Sequence, residues 1–224
     1  SLTGPFTSYT GPCANLGYDG LLGTLIYPVG EVPLTHALIA TEQEALATCI
    51  PAYQFFGYAG NVALGPMPRL KTVGQKAFAY MTGVLNIDAG DCSELTIISD
   101  AAFRDVSNPA SSITFGALPK LQSVGSFAFQ SVTGVLTIDA GDSFELTSIS
   151  NDAFLDVSNP ASSVTFSNLD KLTSVTAGST FGNFPGNVSL TGPFTSYTGP
   201  CVNLGYGGLL GTLIYPVGEV PLTH

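Results

Sequence analysis

Residues 70–120 read LKTVGQKAFAYMTGVLNIDAGDCSELTIISDAAFRDVSNPASSITFGALPK, and residues 121–171 read LQSVGSFAFQSVTGVLTIDAGDSFELTSISNDAFLDVSNPASSVTFSNLDK. The second stretch repeats the first without a gap at an offset of 51 residues (154 minus 103 for Phe154 and Phe103). A fixed period of this size is typical of a solenoid, because each unit is too small to bury its own apolar face and must stack on its neighbours.

Each of these copies divides again into two coils. The same pattern begins at residues 70, 95, 121 and 146: a leucine, a valine or isoleucine three residues later, and then an Ala-Phe pair. The steps are 25, 26 and 25 residues (95 minus 70, 121 minus 95, 146 minus 121). We therefore predict a solenoid with coils of about 25 residues, stacked along one axis.

A short alternating run of apolar and polar residues follows each Ala-Phe pair. Successive side chains of a strand point to opposite faces, so the apolar residues should face the core and the polar ones the solvent. Each coil is predicted to supply one short strand to a parallel sheet, opposite an irregular convex side. The predicted outward-facing polar ladder consists of Asn86, Thr114, Thr137 and Thr165.

The pattern LxxV/I…AF…V/IxI/F in these coils resembles the BspA-like leucine-rich repeats of cell-surface and secreted proteins. The resemblance extends from residue 70 to about residue 175. It implies a leucine-rich-repeat solenoid that binds or scaffolds, and it implies no single family function. Where these repeats usually carry Cys or Asn a few residues after Ala-Phe, this chain has Met81, Val106, Val132 and Val157.

A second, much closer repetition joins the two ends of the sequence. Residues 1–36 return as residues 189–224, an offset of 188 (189 minus 1), with only Ala14 changed to Val202 and Asp19 to Gly207. We interpret residues 1–188 as one module of about seven coils and residues 189–224 as the start of the next, within one continuous solenoid cut from a longer tandem protein. The alternative is a self-contained protein with duplicated end caps.

Composition excludes several classes of function. The chain has 6 Lys and Arg against 16 Asp and Glu, a formal net charge of −10, so it offers no basic patch to nucleic acid or to an anionic membrane. Only 10% of its residues are charged, which suits a secreted β-rich protein covered by Ser, Thr, Asn and Gly. No apolar run approaches the roughly 20 residues of a membrane helix. We expect an extracellular or cell-surface protein without a membrane span.

The interval between the predicted strands near residues 24 and 62 is long enough for an insertion. Thr41 and Glu44 form a capping-box pattern ahead of helix-forming residues, which predicts one short helical insertion. The insertion would either carry a lateral contact or pack over the convex side. The aromatic residues of segment 50–58, IPAYQFFGY, are predicted to lie mostly in the core.

Three cysteines belong to one module. We predict a disulfide between Cys13 and Cys49 in successive coils, with reduced buried thiols as the alternative. Cys92 aligns with Ser143, so a cysteine is not required there, and Cys201 is the copy of Cys13. Asn187 opens an Asn-Val-Ser sequon and is the predicted glycosylation site of a secreted protein.

Two acidic turns recur at the 51-residue period. They are candidates to bind calcium through their carboxylates, although Asp and Gly also form plain turns that need no metal. The candidate ligands are Asp88, Asp91 and Glu94 in one copy and Asp139, Asp142 and Glu145 in the other. We predict no cofactor other than this calcium alternative. Because the acids recur with the repeat, whereas an active site is normally unique, we predict that the protein is not an enzyme.

Two functions are compatible with these features. The first is an extracellular structural repeat protein that self-assembles, or continues head to tail, into a rod or fibre, because an uncapped solenoid leaves coil and strand edges that template another copy. Its partner would be a copy of itself. The alternative is an adhesion surface that recognises glycan or protein on the ladder of Asn86, Thr114, Thr137 and Thr165, unless that row is simply solvated.

Overall fold

A computed structural model describes residues 8–10, 24–26, 32–40, 42–175, 180–191 and 212–214. Within these residues the chain winds through a succession of short strands and turns that stack as a solenoid with almost no helix. The predicted leucine-rich-repeat type of solenoid, with parallel strands and coils of about 25 residues, is confirmed.

Two parallel sheets run along the solenoid, and the strands between residues 49 and 190 alternate between them. The seven-stranded sheet contains Val62–Leu64 (β4), Leu85–Asp88 (β6), Ser112–Phe115 (β8), Val135–Asp142 (β10), Ser163–Ser167 (β12), Asn187–Leu190 (β14) and Thr212–Ile214 (β15). The six-stranded sheet contains Cys49–Ile50 (β3), Thr72–Val73 (β5), Ile97–Ile98 (β7), Ser123–Val124 (β9), Ser148–Ile149 (β11) and Ser174–Val175 (β13).

The second sheet was missing from the sequence prediction, which gave each coil one strand. Its strands have only two residues each, so they are too short to show an alternating pattern. They coincide with the end of the Leu-x-x-Val/Ile segment, as in Thr72–Val73. Each coil therefore adds one strand to each sheet, and the convex side is more regular than expected.

The core lies between the two sheets and is continuous along the axis. The leucines that open the coils are fully buried, and the inward residues of β4, β6, β8, β10, β12 and β14 are buried as well. These leucines are Leu70, Leu95, Leu121, Leu146 and Leu172. All of them belong to one continuous core cluster that runs through the coils, so no coil buries its apolar face alone.

The phenylalanines of the Ala-Phe pairs, together with Phe55 and Phe181, form a stack inside the solenoid. Neighbouring rings are nearly parallel, and their centroids are 5.0 to 5.2 Å apart. The members are Phe55, Phe78, Phe103, Phe129, Phe154 and Phe181. Hydrogen-bonded strands are spaced at nearly the same distance, about 4.8 Å, so one ring per coil keeps the stack in step with the sheets.

The turns around the Ala-Phe pairs bind neighbouring coils through their backbones. The Phe78 N–H donates to Ala102 O at 2.8 Å, and the Phe103 N–H donates to Ala128 O at 2.7 Å. Two residues of each turn adopt left-handed backbone conformations without being glycine, for example Phe127 (φ 58°) and Ser131 (φ 56°). This conformation turns the backbone so that its N–H groups reach the next coil.

The predicted helical insertion is shorter than expected and is capped differently. It contains a five-residue helix, His36–Ala40 (α1), and a single 3-10 turn, Glu44–Leu46. Thr35 Oγ1 accepts from the Leu38 N–H at 3.2 Å, so Thr35 supplies the side-chain cap of α1. The 3-10 turn has no side-chain cap, and Thr41 lies outside the described residues. Glu44 does not complete a capping box because its carboxylate bonds β4 instead.

The aromatic segment 50–58 is less buried than predicted. Phe55 joins the internal stack, but Phe56 and Tyr58 are 40% and 37% exposed. Phe56 instead packs edge-on against Tyr80 of the next coil, with ring centroids 5.3 Å apart. The prediction that these aromatics lie mostly in the core was wrong, because residues 56–59 of this turn all lie on the surface.

The strand of the second, near-identical block extends the larger sheet. Thr212–Ile214 pairs in parallel with β14, with Val188 opposite Leu213. Its sequence copy near the other end, Thr24–Ile26 (β2), pairs in parallel with Ser8–Thr10 (β1) in a separate two-stranded sheet. The same three residues thus form a strand in both places but with different neighbours.

Candidate binding groove on the sheet face

The outer face of the seven-stranded sheet carries a groove of about 680 Å³ at its β4 end. Strands β4, β6 and β8 form the floor, and the helical insertion forms one wall. The polar or small floor residues are Ala63, Asn86, Asp88, Ser112 and Thr114, and the wall residues are Glu42 and Glu44. We call this site the β4 groove.

The alternation of the strands places the floor side chains. In β6 the residues alternate from buried to exposed, so Leu85 and Ile87 face the core while Asn86 and Asp88 face outward. Asn86 lies opposite Ala63 of β4 and Ser112 of β8. The small side chain of Ala63 leaves room above the floor that a larger residue would fill.

The wall of the groove is attached to the sheet by Glu44. Its Oε1 accepts from the Gly65 N–H, just beyond β4, at 3.3 Å. Its Oε2 is buried and has no hydrogen-bond partner within the described part of the chain. A carboxylate oxygen that is removed from water without a partner favours any donor that can reach it.

The groove is acidic, and none of its lining residues is basic. Glu42, Glu44 and Asp88 contribute three carboxylates. Two lysines bind carboxylates outside the groove: Lys120 Nζ binds Glu94 Oε1 and Lys171 Nζ binds Glu145 Oε1, each at 2.7 Å. The groove therefore attracts cations and repels anions.

The two acidic turns proposed for calcium do not gather their carboxylates. Within the described part of the chain, no group of three or more metal-binding side chains comes together. The turns bind the next coil instead: Asp91 Oδ1 accepts from the Ala117 N–H at 3.0 Å, and Asp142 Oδ1 accepts from Asn168 Nδ2 at 2.6 Å. Glu94 and Glu145 form the lysine pairs described above, and Asp88 and Asp139 are exposed on the sheet face. The calcium interpretation gains no support.

The predicted polar ladder is only partly continuous. Thr114 lies directly opposite Thr137, but Asn86 lies opposite Ser112, and Thr165 lies opposite Asp139 and Ser189. The row that contains Thr114 and Thr137 is completed by Asp88 and Ser163. The residue count between the phenylalanine and the strand differs between the two kinds of coil, and this shifts the register by two residues.

The sheet face does bring two of the four predicted ladder residues into one site. Asn86 and Thr114 both line the β4 groove, whereas Thr137 and Thr165 lie outside it. Sequence reasoning missed Glu42, Glu44 and Ser112 as parts of a site. The signal for Ser112 was present in its alternating run, but the two glutamates had been assigned to a helix and its cap.

Cysteine chemistry is structural in the described residues. Cys49 is disulfide-bonded, whereas Cys92 is a free thiol. Cys13 and Cys201 lie outside the described residues, so the Cys13–Cys49 pairing stays a prediction. Burial, reinforced by the charge of Asp91, raises the pKa of Cys92 to about 12, so at neutral pH this thiol is protonated and a poor nucleophile.

Asn187, the predicted glycosylation site, is the exposed first residue of β14. Its backbone N–H donates to Ser162 O at 3.2 Å, while its side chain faces outward from the sheet. Attachment of a glycan there stays a prediction.

A model of the BspA type leucine rich repeat region matches residues 48–184 with six copies. No curated protein and no solved structure matches the chain. Among the residues that the structure describes, no helix has the length and apolar character needed to cross a membrane.

Proposed function

Because the chain belongs to the BspA-type leucine-rich repeat family, we propose that it is an extracellular structural repeat protein whose coils continue from module to module and whose copies associate end to end into a rod or fibre. Such solenoids typically act through surface contacts rather than catalysis. The low charge and the lack of a basic patch agree with a secreted scaffold.

The pairing of β14 with β15 is the observation that carries this proposal. β14, Asn187–Leu190, spans the boundary between the first 188-residue module and the next block, in which β15 lies, and the two strands pair in parallel as strands of neighbouring coils within the module do. An extended module boundary of this kind would let a solenoid grow without a change of axis. β15 has no second partner strand among the described residues, so its outer edge is available to a further strand.

Electron microscopy and sedimentation velocity of the 224-residue chain at increasing concentration test the end-to-end association. We expect elongated particles one solenoid wide, whose lengths increase with concentration. Compact particles of a single size at every concentration would contradict the fibre.

A second function, adhesion through the sheet face, is favoured by the β4 groove. A concave site of this volume is in the range of ligand pockets, and it contains two of the residues predicted to face a ligand. Binding of a cell-surface protein or glycan by the groove would need no end-to-end contact. Immobilised chain carrying Asn86→Leu and Thr114→Leu should lose the binding to cells or matrix that the parent chain shows; unchanged binding would contradict adhesion through this face.

A further inference from the structure

We propose that the β4 groove binds an extended basic peptide segment of a partner protein, which adds a strand in parallel to β4 and directs alternate Lys or Arg side chains toward Glu42, Glu44 and Asp88. This inference rests on the second proposed function and names its ligand class. It does not depend on end-to-end association.

The outer edge of β4, which has no partner strand among the residues that the structure describes, indicates an extended peptide. β4 pairs with β6 on one side, where the Val62 N–H donates to Val84 O at 2.9 Å. Backbone groups of successive strand residues alternate in direction, so the N–H and C=O of Ala63 point to the other edge. Neither group is hydrogen-bonded to another of the residues that the structure describes. A docked strand would satisfy both.

The Gly65 N–H shows how this edge accepts a partner. It points to the same side as the Ala63 groups and is already bonded by Glu44 Oε1, at a long 3.3 Å. The insertion therefore occupies only the end of the edge, and Ala63 stays open within the groove. A strand alongside Ala63 would lie between β4 and the acidic wall.

Charge selects which peptide fits. A strand beside β4 points every second side chain to the same face as Ala63, Asn86 and Asp88. On that face a Lys or Arg would meet the groove carboxylates, including the buried Glu44 Oε2 that has no partner within the described residues. Charge-assisted hydrogen bonds of this type are stronger than neutral ones. Alternation of basic residues is thus the expected feature of the ligand.

The lining argues against two other ligand classes. No aromatic residue lines the groove, so a sugar ring would find no stacking platform. No Lys or Arg lines it, so phosphate or sulfate groups would meet only like charge. An amine-bearing oligosaccharide carries positive charge as the basic peptide does, but it lacks a peptide backbone. Binding experiments can therefore distinguish the two ligands.

The test measures fluorescence anisotropy of the 224-residue chain with a labelled heptapeptide of alternating Lys and Thr. The proposal predicts saturable binding that weakens at least tenfold when sodium chloride rises from 50 to 500 mM. The same peptide with Glu in place of Lys should not bind. A peptide methylated on alternate backbone nitrogens should bind at least tenfold more weakly, since it loses donors but keeps its charge.

Protein variants locate the site. Glu42→Gln with Glu44→Gln should weaken binding at least tenfold. Asp139→Asn with Glu145→Gln changes the net charge equally but lies outside the groove, so it should leave affinity within about twofold. Ala63→Pro removes the free edge N–H, and proline is tolerated on strand edges; it should also weaken binding at least tenfold, with the circular dichroism spectrum unchanged.

Three outcomes would overturn the proposal. Equal weakening by both double variants would mean attraction to overall charge rather than to a site. Equal binding of the methylated peptide, or equal binding of a chitosan oligomer, would mean that the groove recognises amines and not a strand. Binding of the chitosan oligomer would contradict the peptide proposal but not adhesion through the sheet face. If Asn86→Leu with Thr114→Leu abolished cell binding while the parent chain bound no peptide, adhesion would likewise be supported and the peptide proposal contradicted.

Discussion

The rings of Phe78 and Phe103 lie 5.1 Å apart and 8° from parallel, although the two residues are 25 positions apart in the chain (103 minus 78). Both are fully buried. Their backbones are joined by the bond from the Phe78 N–H to Ala102 O. Ring stacking, burial and a coil-to-coil hydrogen bond therefore coincide at the phenylalanine position of these coils.

Truncation inside the phenylalanine stack should destabilise the whole solenoid. Phe103 contacts rings in the coil before and the coil after, at 5.1 and 5.0 Å. We expect Phe103→Ala to lower the free energy of unfolding by about 3–5 kcal/mol, because it removes a buried ring and leaves a cavity. Urea denaturation followed by circular dichroism measures this change. Phe144→Ala is the control, since that ring is 43% exposed and should cost less than about 1 kcal/mol.

The left-handed turn residues predict that substitution by glycine and substitution by valine change stability in opposite directions. Ser131 has φ 56°, and its N–H donates to Leu155 O at 2.9 Å. Ser131→Gly should hold or slightly raise stability, because glycine adopts this conformation without steric cost. Ser131→Val should lower stability by about 1–2 kcal/mol, because a β-branched side chain is strained there. Equal melting temperatures for the two variants would show that the turn does not depend on this conformation.

Close packing of coils at Gly134 predicts a strict requirement for glycine. A Cβ at this position would lie 2.2 Å from Ser111 O of the previous coil. Gly134→Ala should therefore push two coils apart and cost about 1–3 kcal/mol. The matched comparison is Val135→Ala, which changes the adjacent, half-buried residue. Thermal unfolding of both variants should rank Gly134→Ala as clearly the less stable.

The buried Cys92 thiol predicts a specific loss of stability in alkali. Its pKa in the folded chain is raised to about 12, so the folded state keeps its proton at pH values where the unfolded thiol has ionised. Stability is unaffected below the unfolded pKa near 9 and falls above it, by at most about 1.4 kcal/mol per pH unit. The free energy of unfolding of wild type minus that of Cys92→Ser should be flat from pH 6 to 8 and decline above pH 9. A flat difference up to pH 10.5 would contradict the burial.

Repetition explains how much of the fold could be predicted. Phe78, Phe103, Phe129 and Phe154 occupy one position of a repeat, so the sequence period identified all four as equivalent, and the structure buries all four. The two-residue strands such as Ser123–Val124 gave no pattern of their own. They form because stacked coils align their backbones, which is a property of the assembled solenoid and not of any one segment.

The groove could not be predicted because it depends on register and on the part of the chain without repeats. Asn86 was aligned with Thr114 by sequence, whereas the sheet places it opposite Ser112. The wall residues Glu42 and Glu44 belong to an insertion found in one coil, and Glu44 bonds Gly65, which lies 21 residues later. Nothing in the local sequence indicates which strand edge an insertion will approach.

The length of a two-module chain tests the central claim most directly. One copy of residues 1–188 and two copies joined in tandem can be compared by small-angle X-ray scattering and electron microscopy. If β14 and β15 continue one solenoid, about seven coils at roughly 4.8 Å each should add roughly 34 Å to the particle length at constant width. A second module that widens the particle without lengthening it would contradict a solenoid that continues from module to module.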